Sequence, residues 1–227
     1  MKILLIASLF IFSTVGCQEK KIKNLKNSLD IKNKSYRIYT RLSNCQAELF
    51  VDDMLAFSYM GDLALKGKRT AVEVPINTLL LSSGKHTIDL KIYPNLNQST
   101  LNEDSYGEIT LHYFDTDNYD KEVELFVKET PNGDHNNLNG LPYYQLKAEI
   151  NLVLPFSIEG WTNSVDLKDE MENGNDLKRE VQNSYDDIIK IIKDRDVNTF
   201  SKLIKEREDL LGVAFYSTSQ QKKRQLK

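Results

Sequence analysis

The chain of 227 residues is poor in cysteine, proline and glycine, with two, five and ten of them respectively. Two cysteines are too few for a scaffold held by disulfides, and the scarcity of proline and glycine excludes collagen-like and low-complexity proteins. Since 40% of the residues are hydrophobic, an intrinsically disordered chain is excluded as well. A net charge of −3 is unlike that of a general nucleic-acid-binding protein, and we expect no nucleic-acid partner.

Sequence motifs of the common enzyme and cofactor classes are also missing. The chain has no GxSxG nucleophile elbow, no P-loop and no GxGxxG dinucleotide fingerprint. Its three histidines, His86, His112 and His135, are far apart and lack the HExxH or Cys–His spacing of zinc sites. We therefore predict a protein that binds no cofactor and is not an enzyme. Because folding can bring distant acidic residues together, a hydrolase with dispersed catalytic carboxylates stays open as an alternative.

The first sixteen residues have the order of parts found in a secretory signal peptide. Lys2 supplies a short basic start, and the apolar run from Ile3 to Phe12 is too short to span a membrane. Small or β-branched residues then lead to Gly16, as expected before a cleavage site. We therefore predict that residues 1–16 are a signal peptide.

The segment from Ser13 to Cys17 (STVGC) resembles the lipobox of bacterial lipoproteins, with Thr14 where leucine is usual. The resemblance implies cleavage before Cys17, a diacylglyceryl thioether on its sulfur, and a further acyl chain such as palmitate on its amino group. Two or more acyl chains anchor a protein stably in a membrane. Gln18 stands where an aspartate would signal inner-membrane retention. The implied location is therefore the bacterial cell envelope, at the outer membrane, on its periplasmic or surface face.

Residues 17–34 form a lysine-rich segment with few apolar side chains, which we interpret as the lipidated cysteine and a basic tether. In residues 35–165 the acidic residues outnumber the basic ones, whereas they balance in residues 166–227. The small net charge of the chain therefore combines an acidic body with a basic tether.

Residues 35–165 repeatedly alternate apolar and polar side chains, which is typical of strands with one buried face. Asp52 and Asp53 are predicted to form a tight turn, and Pro75 confines its strand to a sheet edge or a strand end. The pattern predicts an antiparallel β-sandwich of immunoglobulin or jelly-roll type, in a mainly β protein with a C-terminal α-helical part. The predicted strands cover residues 36–42, 47–51, 54–59, 70–76, 86–93, 107–115, 122–128 and 144–154.

Residues 166–227 form the predicted helical region, because the apolar spacing changes there to three and four residues. One amphipathic helix follows Asn175 or Asp176 as its N-cap, and a second follows Asp196. The short break at residues 194–196 favours an antiparallel helical hairpin.

Acidic and aromatic residues supply the candidate sites. Asp115, Asp117 and Asp120 form the densest group of oxygen ligands, a weak calcium-site hypothesis beside the alternative of a solvated hairpin turn. Four aromatic residues, Tyr143, Tyr144, Phe156 and Trp161, fall near the last predicted strand and its exit loop. Of these, Tyr143, Tyr144 and Trp161 are the candidates for sugar stacking or a protein contact. The alternative for Trp161 is a structural role at the junction of strands and helices. Cys45 is predicted to be a buried apolar residue.

The function we predict is non-catalytic binding of an envelope protein or a glycan by a membrane-anchored lipoprotein. An immunity-type inhibitor that neutralises a toxin in the periplasm is an alternative, since an acidic surface speeds the capture of a basic partner.

Overall fold

The computed structural model describes residues 33–64, 69–133, 137–164, 167–168 and 176–217. The predicted signal peptide, Cys17 and nearly all of the basic tether lie outside the described residues, as does His135. Within them the protein is mainly β with a C-terminal pair of helices, so the predicted fold class is confirmed.

Eight strands form two antiparallel four-stranded sheets. One sheet has the order β4-β1-β6-β7, and the other has the order β3-β2-β5-β8. The strand bounds are β1 Lys34–Ser43, β2 Gln46–Val51, β3 Met54–Tyr59, β4 Thr70–Pro75, β5 Gly84–Tyr93, β6 Tyr106–Asp115, β7 Asn118–Glu129 and β8 Tyr144–Leu152.

The alternation along each strand decides which face is buried. Ile38 and Leu42 of β1, with Ile109 and Leu111 of β6, are buried in the core, whereas Arg41 is exposed. The second sheet contributes its own buried face, which includes Leu49, Ile88 and Leu90. A period of two places every other residue on one face of a strand, and this is why the sequence pattern predicted these elements.

Two local predictions are confirmed. Asp52 and Asp53 join β2 to β3 with φ angles of 48° and 66°, in the left-handed region that aspartate tolerates better than most residues. The strand that contains Pro75, β4, lies at the edge of its sheet, where its missing N–H costs no ladder bond.

The strand β7 is longer than predicted, since it begins at Asn118 rather than at residue 122. Its pairing with β6 shifts register at Leu111/His112 and again at Phe114/Asp115. Each shift interrupts the alternation of faces, and Val123 is the only residue of β7 that is buried. The simple alternation therefore underestimates the length of this edge strand.

Helices α1 (Leu177–Lys193) and α2 (Val197–Ala214) have the predicted caps. Asp176 accepts a hydrogen bond from the Arg179 N–H at 3.1 Å, and Asp196 accepts one from the Thr199 N–H at 3.0 Å. Neither described helix is long and apolar enough to cross a membrane.

The described part of the chain divides into two compact units. Among the described residues, the first unit holds those up to Leu80 together with Gly84–Leu152, and the second holds Leu81–Ser83 together with those from Val153 onwards. In the second unit the Ile158 N–H donates to the Leu81 carbonyl at 2.7 Å, and the Ser83 hydroxyl bonds both the N–H and the carbonyl of Leu154.

Candidate functional site

A pocket of about 530 Å³ opens in the first unit, where three strand ends of one sheet meet. Leu42 near the end of β1 pairs with Thr70 at the start of β4 and with Gly107 near the start of β6. The antiparallel register therefore brings residues that are distant in sequence together at one end of these three strands. The charged and amide side chains among those that line the pocket are Arg41, Arg69, Glu103, Asp104 and Asn132.

A buried carboxylate lies beneath the pocket lining. Glu108 alternates with the core residue Ile109 and faces away from the core, yet only 3% of it is exposed. Arg41 covers it through two hydrogen bonds, one of them from Nε to Oε1 at 2.8 Å and the other from Nη2 to Oε2. The Tyr106 hydroxyl lies 2.7 Å from Glu108 Oε2 and 2.8 Å from Glu129 Oε2, so its single proton can be donated to either carboxylate. We call Arg41, Tyr106, Glu108 and Glu129 the Glu108 cluster.

Three groups of the Glu108 cluster, Glu108, Arg41 and Tyr106, have shifted pKa values. Burial opposes ionisation of Glu108, but the hydrogen bonds from Arg41 and Tyr106 outweigh it and hold the pKa of Glu108 below its usual value. The hydrogen bonding between Arg41 and Glu108 also raises the pKa of Arg41 above its usual value. Burial, followed by the hydrogen bonds to the two carboxylates, raises the pKa of the Tyr106 hydroxyl. At neutral pH the arginine and Glu108 are therefore both ionised, and the tyrosine is neutral.

This electrostatic state favours binding over acid catalysis. A carboxylic acid that donates a proton at neutral pH needs a raised pKa, and that of Glu108 is lowered. Its two oxygens already accept hydrogen bonds from Arg41 and Tyr106. The cluster can instead hold the Arg41 guanidinium in one orientation at the pocket wall, where its remaining N–H groups are available to a ligand.

The predicted aromatic residues do not line this pocket. In the first unit Tyr144 is the first residue of β8, and Tyr143 directly precedes the strand and is 54% exposed. Trp161 lies in a turn of the second unit and is 39% exposed. An exposed ring remains suitable for a contact, but the three residues do not belong to a single compact unit.

The predicted metal-ligand group lies at the hairpin between β6 and β7. The Asp115 carboxylate accepts a hydrogen bond from the Asp117 N–H at 3.0 Å, and Asp117 accepts one from the Asn33 side chain at 3.3 Å. Asp120 is an exposed residue of β7. Among the described residues no group of three His, Cys, Asp or Glu side chains is arranged to hold a metal ion. The calcium hypothesis thus gains no geometric support.

Cys45 and two histidines occupy structural positions. Cys45 is buried, and its thiol donates to the Tyr106 carbonyl at 3.4 Å. His86 Nδ1 lies 2.6 Å from Asp52 Oδ2, and His112 Nδ1 lies 2.6 Å from Glu122 Oε1. The partner of each histidine ring is thus a carboxylate, Asp52 or Glu122, and not the Cys45 thiol.

Sequence reasoning did not find the Glu108 cluster. In the sequence Arg41 is an ordinary polar residue of an alternating strand, and Glu108 is one acidic residue among 33. The two are 67 positions apart and meet only through the register of β1 with β6. A carboxylate near the start of β6, a strand with only one other acidic residue, is the one available signal.

Comparison with protein-family models, with curated proteins and with solved structures finds no match for this chain, so the geometry of the site carries the functional argument.

Proposed function

We propose that the protein is a lipid-anchored binding module of the bacterial cell envelope that holds a glycan, without cleaving it, in the pocket beside the Glu108 cluster. The observation that carries the proposal is this pocket, in which a fixed arginine stands among hydroxyl, amide and carboxylate groups. The STVGC segment before and at Cys17 supports the lipid anchor.

The pocket lining suits a sugar because sugar hydroxyls both donate and accept hydrogen bonds. Glu103 and Asp104 supply acceptors, Arg41 and Arg69 supply donors, and the amide of Asn132 supplies both. The volume of about 530 Å³ lies within the roughly 300–1,000 Å³ of small-molecule sites. The mixture of groups favours an uncharged, hydroxyl-rich ligand over a strongly anionic one.

Preorganisation supports binding at this position. A side chain that must be ordered when a ligand arrives costs about 0.5–1.5 kcal/mol of binding free energy. Arg41 avoids much of this cost because Glu108 already holds it through two hydrogen bonds. The buried carboxylate thus contributes to affinity through the arginine and not by touching the ligand.

Calorimetric titration of the full chain with disaccharides from peptidoglycan and with neutral oligosaccharides tests the glycan proposal. We expect one saccharide class to bind and Asn132→Ala or Arg69→Ala to weaken it by about tenfold, or about 1.4 kcal/mol. Lys85→Ala, at an exposed position of β5 outside the pocket lining, is the matched control. The absence of binding would reject the proposal, whereas release of shorter sugars, seen by mass spectrometry, would favour the hydrolase alternative.

The anchor is tested separately with Cys17→Ala. We expect this substitution to abolish incorporation of an alkyne-labelled fatty acid and to release the protein from membranes into the soluble fraction. Unchanged membrane association of the variant would reject the lipoprotein proposal while leaving the glycan proposal untouched.

A further inference from the structure

The edge strand β3 is uncharged along its whole length. Met54–Tyr59 reads MLAFSY, and β3 pairs with β2 but with no other described strand. Since a strand directs its N–H and C=O groups alternately to its two sides, β3 presents a row of these groups away from the sheet. Such a row can form a ladder with an added strand.

The three other edge strands differ from β3, because each carries residues that discourage added strands. Pro75 and Glu73 occur in β4, and Lys147 and Glu149 occur in β8. The strand β7 has six charged residues, which are Asp120, Lys121, Glu122, Glu124, Lys128 and Glu129. Charges and proline are the usual protection of an exposed edge. Among the described edges, β3 alone has neither a charge nor a proline, and its one interruption is a register shift against β2 between Leu49 and Phe50.

Apolar side chains along and after β3 are exposed. Leu55 is 51% exposed and Leu63 is 73% exposed, while Met54 and Met60 are each more than one third exposed. The rings of Phe57 and Tyr59 lie side by side, 6.5 Å apart and nearly parallel. A strand added at this edge would therefore gain apolar contacts in addition to the backbone ladder.

Charge at the two ends of the strand indicates the kind of occupant. Asp53 precedes β3 and Asp62 follows it, both are exposed, and neither forms an ion pair with a described residue. A second copy paired antiparallel would bring Asp53 of one chain towards Asp62 of the other, and a parallel copy would place identical aspartates together. Like charges at these positions disfavour self-pairing. A partner segment with basic residues on both sides of an apolar stretch is complementary.

We infer that β3 is a docking strand to which a partner protein adds an extended segment, apolar in its centre and basic at both ends. This site is distinct from the glycan pocket and does not depend on it. The residues of the docking strand are 54–59, with Asp53 and Asp62 as its acidic flanks.

Fluorescence anisotropy with synthetic peptides and the full chain tests the inference. The probe is a labelled peptide of alternating valine and threonine flanked by lysines, and the control peptide has glutamates in place of the lysines. We expect the basic-flanked peptide to bind at least about tenfold tighter than the acidic-flanked one. Replacing both acidic flanks, Asp53→Asn with Asp62→Asn, should abolish this preference, and asparagine also tolerates the left-handed φ of 66° at position 53.

The position of binding is tested with Leu55→Lys in β3 and Val127→Lys in β7, two exposed apolar residues on different edge strands. We expect Leu55→Lys to weaken peptide binding by at least about tenfold and Val127→Lys to leave it unchanged. Circular dichroism of both variants verifies that they fold. No binding at millimolar peptide, equal loss in both variants, or a wild-type dimer that Leu55→Lys converts to a monomer would each overturn the inference.

Discussion

Glu108 shows how a residue on the outward-facing side of a strand becomes buried. Its side chain leaves the sheet on the face opposite the core, and Arg41 and Tyr106 close over it. A buried charge is tolerated only when it is paired and hydrogen-bonded, and both conditions are met here. The residue is therefore important for stability as well as for the orientation of Arg41.

Replacing this carboxylate tests its structural role. We expect Glu108→Gln to lower the free energy of unfolding by about 1–3 kcal/mol, because it removes the charge from a buried hydrogen-bonded group. Glu129→Gln, at the exposed end of β7, should lower it by less than about 1 kcal/mol. Urea denaturation measures both values. Equal losses in the two variants would contradict the importance of burial at Glu108.

Acid titration gives a second test of the same residue. The pKa of Glu108 is lowered in the folded protein, so its stabilising contribution is fully present above the unfolded value of about 4.3. That contribution is lost as the pH falls through the lower pKa of the folded state. We expect the stability of the wild type to fall more steeply below roughly pH 4 than that of Glu108→Gln. Parallel acid-denaturation curves would contradict the lowered pKa.

Cys45 allows a chemical test of burial. Burial raises the pKa of its thiol to about 12, so the reactive thiolate is scarce at neutral and mildly alkaline pH. In a Cys17→Ala background, we expect Cys45 to react with a disulfide reagent only slowly at pH 8 and rapidly after unfolding in urea. Rapid reaction of the native protein would contradict the buried position.

At the scale of elements, the sheet register explains both what the sequence predicted and what it missed. The alternation in β1 predicted a strand with one buried face, because one face of that strand contacts the core throughout. The start of β7 was missed because two register shifts break the alternation. The pocket was missed for a different reason. The register between strands that are distant in sequence decides which residues meet at the strand ends, and the sequence pattern does not give that register.

A close approach between β6 and β5 gives a prediction at this scale. A Cβ at Gly107 would lie 2.4 Å from Ile92 Cδ1, and Ile92 is fully buried. We expect Gly107→Ala to lower the free energy of unfolding by about 1–3 kcal/mol through overpacking.

Ile92→Val provides the matched control because it removes the clashing Cδ1 atom. Alone it should cost about 0.5–1.5 kcal/mol, and the double variant should be less destabilised than the sum of the single ones. Denaturation curves of the four proteins complete the cycle. Strict additivity would show that the two groups do not contact each other.

At the scale of the whole molecule, the chain passes between its two compact units more than once. Leu81–Ser83 leaves the first unit between the 3-10 turn at Asn77–Leu79 and β5, and it belongs to the second unit. The sequence indicated that helices follow strands. The residues Leu81–Ser83 show no sequence pattern that would assign them to the second unit. Hydrogen bonds join Leu81 to Ile158 and Ser83 to Leu154 within the second unit.

Ser83→Ala tests this connection. The hydroxyl donates to the Leu154 carbonyl at 3.1 Å and accepts from the Leu154 N–H at 2.8 Å. We expect its loss to lower the free energy of unfolding by about 0.5–1.5 kcal/mol. Ser157→Ala, at an exposed position of the same unit, should have no measurable effect. Thermal or urea unfolding measures the free energy of unfolding of both variants, and equal values would contradict the prediction.

The central position of β1 has a mechanical consequence. On its two sides β1 pairs with β6 through ten residue pairs and with β4 through six. If the proposed lipid anchor pulls on Lys34 along the direction of β1, the pull loads both ladders in shear. Ladders loaded in shear must yield together, whereas a strand peeled from an edge loses its bonds one at a time. The first strand among the described residues is thus hydrogen-bonded on both sides at the point where a pull from the proposed anchor would enter.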